Sequence, residues 1–458
     1  MKLSKSQFHT NVQSLPELRF EDQRLTSFSG CVLLQELFRR LKLRDRLREC
    51  FEHRGDGLIV GFPSIVLIMI VHLMLGFRRL RDIERYRDDP VVLRTLGLRR
   101  MPNVSTVCRS LGRMDRGSVE NVRLLSREYV LSRLERQRLS RVSLDFDGSV
   151  ISTGRYAEGT AVGYNNKRKG ERSYYPLLCT IPQTAQVLDV FHRAGNVHDS
   201  HQAIDFMRTC IEAVRCRLPW AVLESRKDSA FFSDKMVDFL DSQRVEFSIS
   251  VPFERFAELK LKIESHRRWK RLDAHWDYFE SDWAPKCWQR RYRFLFLRHR
   301  VRKQSKDPVQ LELFAPHEAG YEFKVIVTNK RSKAKAILLF HNGRAGQENI
   351  FSELKTQCNM DYVPTRRLSG NQLYFLSAVF AHNLYRELQM MTRDADRHTT
   401  PKRAALWIFD EAASIRHKLI QRAGRLTRPQ GRLRLTLSGN EVTRKEMLHY
   451  LQRLGRVA

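Results

Sequence analysis

The alternation of strand-like and helix-like periodicity between residues 141 and 251 is the feature that most constrains the fold. The segment opens with VSLDFDGSV, in which Val142, Leu144 and Phe146 share one face and polar residues share the other. Further strands are predicted at residues 174–181, 186–191, 220–224 and 245–251, and helices at residues 199–214 and 229–240. Three strands, a helix, a strand, a helix and a strand predict an α/β core in which helices cover a mixed sheet.

The rest of the chain divides by periodicity and composition. Leu and Phe at helical spacing predict an all-α region before the core, and a tryptophan-rich stretch after it predicts a β-rich insertion. The predicted segments are a helical DNA-binding and dimerisation region (1–140), the first part of the core (141–251), the insertion (252–320), the second part of the core (321–392) and a basic C-terminal region (393–458).

The charge of the chain predicts a polyanionic partner. Lys and Arg number 82 against 51 Asp and Glu, so the formal net charge is +31. Contacts between these cations and phosphates would supply much of the affinity for a nucleic acid. The basic residues are spread along the chain rather than gathered in one tail. Composition alone does not separate DNA from RNA or a ribosomal surface.

Cysteine usage and hydropathy indicate a cytoplasmic protein. The eight cysteines form no CxxC pair, which favours reduced thiols over a zinc ribbon or a disulfide framework. One apolar run, residues 58–77, is interrupted by Gly61, Pro63 and His72. The uninterrupted part is too short to cross about 30 Å of hydrocarbon, so we expect a buried helix and no membrane span.

Three acidic positions are candidates for metal binding. Two-metal phosphodiester chemistry needs carboxylates that hold cations roughly 3.5–4 Å apart, and Mg²⁺ prefers oxygen ligands. Asp145 and Asp147 share the polar side of the first strand, and Asp147 is favoured because it stands at the strand end before Gly148. Asp228 follows the fourth predicted strand and would converge with Asp147 if those strands are neighbours. The alternatives are a hydrogen-bonding role for Asp145 and a helix cap for Asp228.

The third carboxylate is sought in residues 340–356, FHNGRAGQENIFSELKT. His341, Arg344, Glu348 and Lys355 are spaced by three, four and seven residues, which places them on one face of a continuous helix. Glu353 is the rival acid and points to another face. An ordinary solvated face with i,i+4 charge pairs gives the same pattern. Gly346 leaves open a helix that begins only near Gln347.

These motifs together resemble those of DDE-domain transposases of bacterial insertion sequences, most closely the insertion-sequence 1380 group. LDFDGS and RKDSAFF are followed by a pattern similar to the family signature of Tyr, two residues, Arg, three residues, Glu, six residues and Lys, with His341 at the Tyr position. The resemblance implies an RNase H-like core in which Asp147, Asp228 and Glu348 hold two Mg²⁺ ions, with Mn²⁺ as a substitute. It also implies that Arg344 and Lys355 contact DNA phosphates.

By this resemblance the chain would bind the terminal inverted repeats of an insertion sequence, cut them, and join the liberated 3′-hydroxyl to target DNA. We expect a homodimer on the paired double-stranded ends. Two alternatives stay open. The first is a non-catalytic DNA-binding protein derived from a transposase. The second is a structure-specific RNase H-like nuclease.

Further DNA contacts are predicted outside the acidic cluster. Arg109 and Arg113 project from one side of a short helix, as in the second helix of a helix-turn-helix, although an amphipathic helix with solvated arginines explains them equally well. Lys167 and Arg168 lie in a basic, glycine-containing connection, and residues 422–434 (RAGRLTRPQGRLR) could lie against phosphates.

Two aromatic or histidine-containing segments have weaker functional interpretations. Related transposases cut the second strand through a DNA hairpin, so Trp276, Trp283 or Trp288 could stack on an extruded base; packing within the insertion is the competing explanation. His198 and His201 flank Asp199 and could hold a metal, but a helix start capped by Asp199 or Ser200 is the more ordinary interpretation.

Overall fold

The computed structural model describes residues 15–55, 59–165, 167–286, 288–300 and 320–455. It contains fifteen strands and fourteen α-helices within these ranges. The strands are Leu25–Thr26 (β1), Arg141–Gly148 (β2), Ile151–Thr153 (β3), Ala161–Val162 (β4), Arg172–Tyr174 (β5), Leu177–Ile181 (β6), Gln186–Phe191 (β7), Val222–Lys227 (β8), Glu246–Ser250 (β9), Lys270–Arg271 (β10), Trp276–Trp283 (β11), Tyr292–Arg300 (β12), Tyr321–Thr328 (β13), Gly424–Thr427 (β14) and Arg434–Leu437 (β15).

The helices lie before, between and after these strands. They are Cys31–Arg40 (α1), Leu43–Glu49 (α2), Phe62–Met74 (α3), Pro90–Leu96 (α4), Val104–Gly112 (α5), Arg116–Gln137 (α6), Ala203–Arg217 (α7), Asp234–Ser242 (α8), Ala257–Ser265 (α9), Ala334–Asn342 (α10), Ala345–Thr356 (α11), Leu368–Thr392 (α12), Ala412–Ile415 (α13) and Glu441–Arg453 (α14).

A nine-stranded mixed sheet forms the centre of the fold, with the order β10-β11-β12-β13-β9-β8-β2-β6-β7. β2, β8 and β9 run parallel, and the remaining neighbours pair antiparallel. Within the main sheet, the predicted order of three strands, a helix, a strand, a helix and a strand between residues 141 and 251 is confirmed. The strands β3 and β4, which form a separate small sheet with β5, were not predicted. The predicted neighbourhood of the first and fourth strands is also confirmed, because Asp145 on β2 pairs with Arg226 on β8.

Two strand predictions need correction. The run at residues 174–181 is not one strand, because β5 ends at Tyr174 and belongs to a small separate sheet with β3 and β4, whereas β6 begins at Leu177 in the main sheet. Pro176 lies between them, and proline has no backbone N–H for a continuous strand pairing. The strands of the predicted insertion form no sheet of their own, since β10, β11 and β12 extend the main sheet through β13.

The region before the core is largely helical but not all-α. Leu25–Thr26 pairs with β14, which makes β1, β14 and β15 a second three-stranded sheet. One hydrophobic cluster contains α3, the central part of α12 and residues as distant as Met447 and Leu454. The N-terminal helices and the C-terminal segment therefore share a core, and the proposed segment boundaries stay predictions.

The apolar run near residue 60 forms α3, whose thirteen residues are buried almost throughout. Within the described ranges no helix combines the length and apolarity needed to cross a bilayer.

A buried carboxylate ties the sheet to the segment after α12. Glu224 on β8 is fully buried and accepts hydrogen bonds from Arg141 (2.8 Å), Lys330 (2.6 Å) and Arg403 (2.6 Å). Burial by itself would raise the pKa of Glu224, but hydrogen bonds and charge from Arg403 and Lys330 outweigh it and lower the pKa to about 2.

This arrangement predicts a loss of stability in acid. A carboxyl whose folded pKa lies below its unfolded value stabilises the fold fully above the unfolded pKa, and this stabilisation is lost as the pH falls towards the folded pKa. We expect Glu224 to contribute about 2 kcal/mol less to the free energy of unfolding at about pH 3 than at about pH 6. Denaturant titrations of the wild type and Glu224→Gln at both pH values test this. Equal pH dependence in the two proteins would contradict it.

Candidate active site

Asp147 and Asp228 converge at one end of the central parallel strands. Asp147 lies near the end of β2, and Asp228 directly follows β8. Arg344 reaches both, with its Nη1 3.1 Å from Asp147 Oδ2 and 3.8 Å from Asp228 Oδ2. About a quarter to a third of each of these side chains is exposed, so solvent and a ligand can reach the group.

Local hydrogen bonds fix both carboxylates. Asp147 Oδ1 accepts the N–H of Gly148 at 2.8 Å, and Asp228 Oδ1 accepts the N–H of Ala230 at 3.1 Å. Asp228 therefore caps the short helical turn Ser229–Phe231, as the ordinary interpretation of the sequence predicted, while its other oxygen faces Arg344.

The electrostatic environment of Asp147 favours a cation. Burial, together with the charges of Asp228 and Asp199, raises the pKa of Asp147 to about 6, whereas Arg344 and the N–H of Gly148 oppose this. The concentrated negative charge is thus partly balanced by one guanidinium, which is the local situation that also attracts a metal cation.

Asp145 has a structural environment that differs from that of Asp147. Its buried carboxylate accepts hydrogen bonds from Arg226 Nε at 2.9 and 3.0 Å and from Arg226 Nη2 at 2.9 Å. Arg226 Nη1 also donates to the backbone carbonyls of Phe340 and Lys402. This pair ties the sheet to the end of α10 and to the segment after α12. The geometry therefore favours Asp147 over Asp145 as a ligand.

We expect Arg226→Met to destabilise the protein strongly. Removing one partner of a buried ion pair costs about 3–5 kcal/mol because the other charge stays buried without compensation. The midpoint of urea unfolding measures the effect. Arg136→Met is the matched control, since Arg136 is exposed and has no ion pair among the described residues. Equal midpoints for the two variants would show that the Asp145–Arg226 pair does not hold the fold.

Both predictions for the third motif need correction, because the helix is interrupted within residues 340–356 and its second part begins before Gln347. α10 ends at Asn342, α11 begins at Ala345, and Arg344 is the residue before it. A Cβ on Gly343 would lie 2.1 Å from Arg226 Nη1, so only glycine fits beside that guanidinium. His341 points into the fold, where its ring nitrogens lie 3.0 and 2.9 Å from the hydroxyls of Ser248 and Ser250.

Glu348 and Glu353 have opposite environments on α11. The side chain of Glu348 is exposed and forms no hydrogen bond or ion pair with any described residue. Glu353 is buried, pairs with Arg386 and accepts the N–H of Ala412 at 3.0 Å. Glu353 thus fastens α12 and α13 to α11, and the rival acid has a structural role.

The structure does not bring the three predicted carboxylates into one ready-made metal site. Within the described ranges no group of three or more His, Cys, Asp or Glu side chains is arranged to hold a metal ion. Asp147 and Asp228 converge on Arg344, whereas Glu348 remains apart from that contact. Gln347, the residue before Glu348, donates to the backbone carbonyl of Asp145 at 3.1 Å and holds the start of α11 against β2.

Lys355 and the basic connection extend the positive surface of the site. Lys355 Nζ donates to the carbonyl of Val150 at 3.0 Å, just beyond β2. Burial lowers the pKa of Lys355, and the nearby charge of Lys167 lowers it further. Lys167 and Arg168 are both exposed, and Arg168 lies 3.4 Å from Glu171.

Asp199 and Tyr175 also adjoin the site, and the sequence patterns did not identify this role. Tyr175 donates its hydroxyl hydrogen to Asp199 Oδ1 at 2.7 Å. A Cβ on Gly148 would lie 2.3 Å from Tyr175 Cζ and 2.8 Å from Asp199 Oδ1, so the pair lies directly against the residue after Asp147. No periodicity or spacing in the sequence signals this contact.

The other predictions for residues 198–201 are not met. α7 begins at Ala203, and neither Asp199 nor Ser200 caps it. Arg193 instead donates to the backbone carbonyls of His198, Asp199 and His201 and fixes the loop. His198 and His201 belong to no metal-holding group among the described side chains.

The remaining predicted DNA contacts lie on exposed surfaces. α5 buries Val107 and Leu111, and Arg109 and Arg113 are exposed without ion pairs to any described residue.

The three candidate tryptophans differ in burial. Trp283 is 6% exposed and donates Nε1–H to Glu258 Oε2 at 2.8 Å, so it packs the sheet. Trp276 is half-buried beside His299. Trp288 is also half-buried, and its ring centroid lies 5.1 Å from that of Phe232, four residues beyond Asp228.

Solved transposase complexes resemble the chain weakly. The piggyBac transposase synaptic complex with hairpin DNA has 10% identity, covers 85% of this chain and 79% of that chain, and has a TM-score of 0.42. The Mos1 transposase paired-end complex with left transposon end has 13% identity, coverage of 37% and 56%, and a TM-score of 0.17. The Mos1 mariner paired end complex with Mn has 12% identity, coverage of 47% and 75%, and a TM-score of 0.17. These scores are too low to establish a shared fold.

No curated protein matches the chain. A family model does, and its match extends over nearly the whole sequence. Because the model described as transposase DDE domain group 1 matches residues 8–458, the chain belongs to that family of transposases.

Proposed function

We propose that this transposase binds the terminal inverted repeats of an insertion sequence and catalyses metal-dependent strand cleavage and strand transfer in cut-and-paste transposition. The observation that carries the proposal is the convergence of Asp147 and Asp228 on Arg344 at the end of neighbouring parallel strands, within a chain of the DDE family. The core would be RNase H-like. The active unit would be a homodimer on paired DNA ends. Light scattering tests this by measuring the mass of the protein–DNA complex.

The donor chemistry fits a divalent metal. Two carboxylates already face one positive charge, and both have an oxygen directed towards Arg344 rather than used by the backbone. Asp147 and Asp228, with Glu348 from the start of α11, would hold two Mg²⁺ ions, or Mn²⁺ in their place. Bound metal of this kind activates a water or a 3′-hydroxyl and stabilises charge on the phosphate.

The chain's own groups would bind and orient the DNA backbone. Arg344 lies between the carboxylates and would contact a phosphate beside the scissile bond. Lys355, held by the Val150 carbonyl next to β2, would contact a neighbouring phosphate, and Lys167 adds positive charge on the same side. Charge-assisted contacts of this kind position the phosphate before cleavage.

A nicking assay separates this proposal from the two alternatives. The substrate is duplex DNA carrying the inverted repeats that flank the gene, with scrambled repeats and a branched junction as controls. The proposed function requires Mg²⁺-dependent cleavage at the repeat ends, abolished by a chelator. A shifted band without cleavage in Mg²⁺ would indicate a non-catalytic DNA-binding protein, and preferred cleavage of the junction would indicate a structure-specific nuclease.

The tryptophans of the insertion provide a separate prediction. Stacking of an extruded base is worth about 1–3 kcal/mol, so Trp288→Ala should slow second-strand cleavage by roughly tenfold while leaving the first nick unchanged. Trp288→Phe should retain most of the activity. Trp276→Ala tests the other half-buried candidate, whose ring lies beside His299. Trp283→Ala should instead destabilise the fold by about 3–5 kcal/mol, since its ring is buried. Unchanged second-strand cleavage in Trp288→Ala would remove the stacking role.

A further inference from the structure

A basic hairpin lies outside the candidate active site. Residues 412–440 contain no Asp or Glu, and residues 421–439 contain five arginines. β14 and β15 form an antiparallel pair in this segment, with Leu426 opposite Leu435 and Thr427 opposite Arg434. The hairpin belongs to the small sheet with β1 rather than to the nine-stranded sheet that carries Asp147 and Asp228.

The two faces of the hairpin have different chemistry. Successive side chains of a strand alternate between faces. Leu426, Leu435 and Leu437 are partly buried against the core that includes α1 and α14, so the apolar face is anchored. The opposite face carries Arg425 and Arg434 beside Thr427 and Thr436.

The arginines of the outward face and the connecting turn lack counter-charges. Arg428, Arg432 and Arg434 are exposed and form no ion pair with any described residue. Arg425 is the exception, since its Nε lies 3.1 Å from Asp22. The connecting turn and β15 thus carry three exposed guanidinium groups without an ion-pair partner among the described residues, on a hairpin whose other face is anchored.

We infer that this hairpin is a second DNA-binding surface, in which Arg428, Arg432 and Arg434 contact phosphates of double-stranded DNA. This inference rests on the proposed function, since it is that function that makes DNA the ligand. A two-stranded ribbon fits the major groove of B-DNA, which is about 12 Å wide, whereas the major groove of an RNA duplex is too narrow to admit it. Guanidinium forks match phosphate oxygens well. The surface would hold DNA at a distance from the cleaved phosphate in the sequence-independent manner of backbone contacts.

The test compares two triple variants in the full-length protein. The first is Arg428→Gln, Arg432→Gln and Arg434→Gln. The matched control is Arg136→Gln, Arg138→Gln and Arg244→Gln, which removes three exposed, unpaired arginines from the opposite end of the parallel strands, where β2 and β9 begin. The measurement is the dissociation constant for a fluorescent random-sequence DNA duplex across a range of NaCl concentrations, with an RNA duplex of equal length in parallel.

The logarithm of the DNA association constant decreases with the logarithm of the salt concentration, with a slope of about −0.9 for each phosphate that the protein neutralises. Loss of three phosphate contacts should therefore make this slope about 2.7 less steep in the hairpin variant. Its affinity should fall at least about tenfold at low salt. The control variant should keep the wild-type slope. A variant with Lys in place of Arg428, Arg432 and Arg434 should keep most of the wild-type slope, because it retains the positive charges. Circular dichroism melting checks that the hairpin variant is folded.

The possible outcomes separate the inference from the proposed function. A slope and affinity equal to those of the control overturn the inference, and equal weakening on DNA and RNA overturns the assignment to duplex DNA. Failure of the wild type to bind DNA at all would instead refute the proposed function. Selective weakening in the hairpin variant, with Mg²⁺-dependent nicking retained at saturating protein, supports a surface separate from the active site.

Discussion

Asp147→Asn is expected to lower the rate of Mg²⁺-dependent nicking by at least about a thousandfold without loss of DNA binding. A metal ion at the scissile phosphate is worth several kcal/mol of transition-state stabilisation, and about 1.4 kcal/mol corresponds to a factor of ten. Asn keeps the size of the side chain and can still accept the N–H of Gly148. What it loses is the negative charge that faces Arg344 and would hold the metal.

The control for this variant is Asp205→Asn, which removes an exposed acid from α7. Nicking by the control should equal that of the wild type, and thermal unfolding should show that both variants are folded. Because burial disfavours the charged form of Asp147 and only one arginine offsets this, replacing the carboxylate by a neutral amide should leave the unfolding midpoint unchanged or raise it. Nicking by Asp147→Asn within tenfold of the wild-type rate would remove Asp147 from the metal site.

Much of the core follows from sequence periodicity. The alternation in β2 and the order of the following elements predicted that β2 and β8 are neighbours, and the structure confirms this and shows that they run parallel. The membership of the DDE transposase family predicted from the three motifs is also confirmed. These features could be predicted because strand alternation and motif spacing are local properties of the chain.

The roles of individual acids could not be predicted in the same way. Asp145 and Asp147 share one side of a strand, and alternation does not distinguish them. The difference arises from Arg226, which lies 81 positions away and neutralises only Asp145. The burial of His341 likewise depends on two serines of β9, more than 90 positions earlier in the chain. Such contacts depend on the register between strands and on docking of α10, neither of which leaves a local signal.

The break between α10 and α11 shows the same limit for the third motif. A regular helix would place His341, Arg344 and Glu348 on one face, and the spacing alone supports that prediction. In the structure Gly343 lies against Arg226 between the end of α10 and the start of α11, and Arg344 contacts Asp147 and Asp228. The spacing of the motif therefore did not reveal that His341 contacts two serines of β9 while Arg344 contacts the two carboxylates.

Glu348→Gln and Glu353→Gln are expected to separate catalysis from stability on a single helix. Glu348 is exposed without a partner among the described residues, so its replacement should change the free energy of unfolding by less than about 0.5 kcal/mol. If it completes the metal site, nicking should fall at least about a thousandfold. Glu353 is buried against Arg386, and removing its charge should cost about 3–5 kcal/mol of stability.

The two variants are compared by urea unfolding and by nicking rate per folded molecule, at a temperature where Glu353→Gln remains folded. Glu348→Gln should be stable and inactive, and Glu353→Gln should be less stable and active. The reverse result, with activity retained in Glu348→Gln and abolished in folded Glu353→Gln, would identify Glu353 as the third metal ligand in place of Glu348. Gln347 holds the start of α11 against β2 and Glu353 anchors the same helix to α13, so Glu348→Gln changes an exposed side chain without removing either of these two anchors.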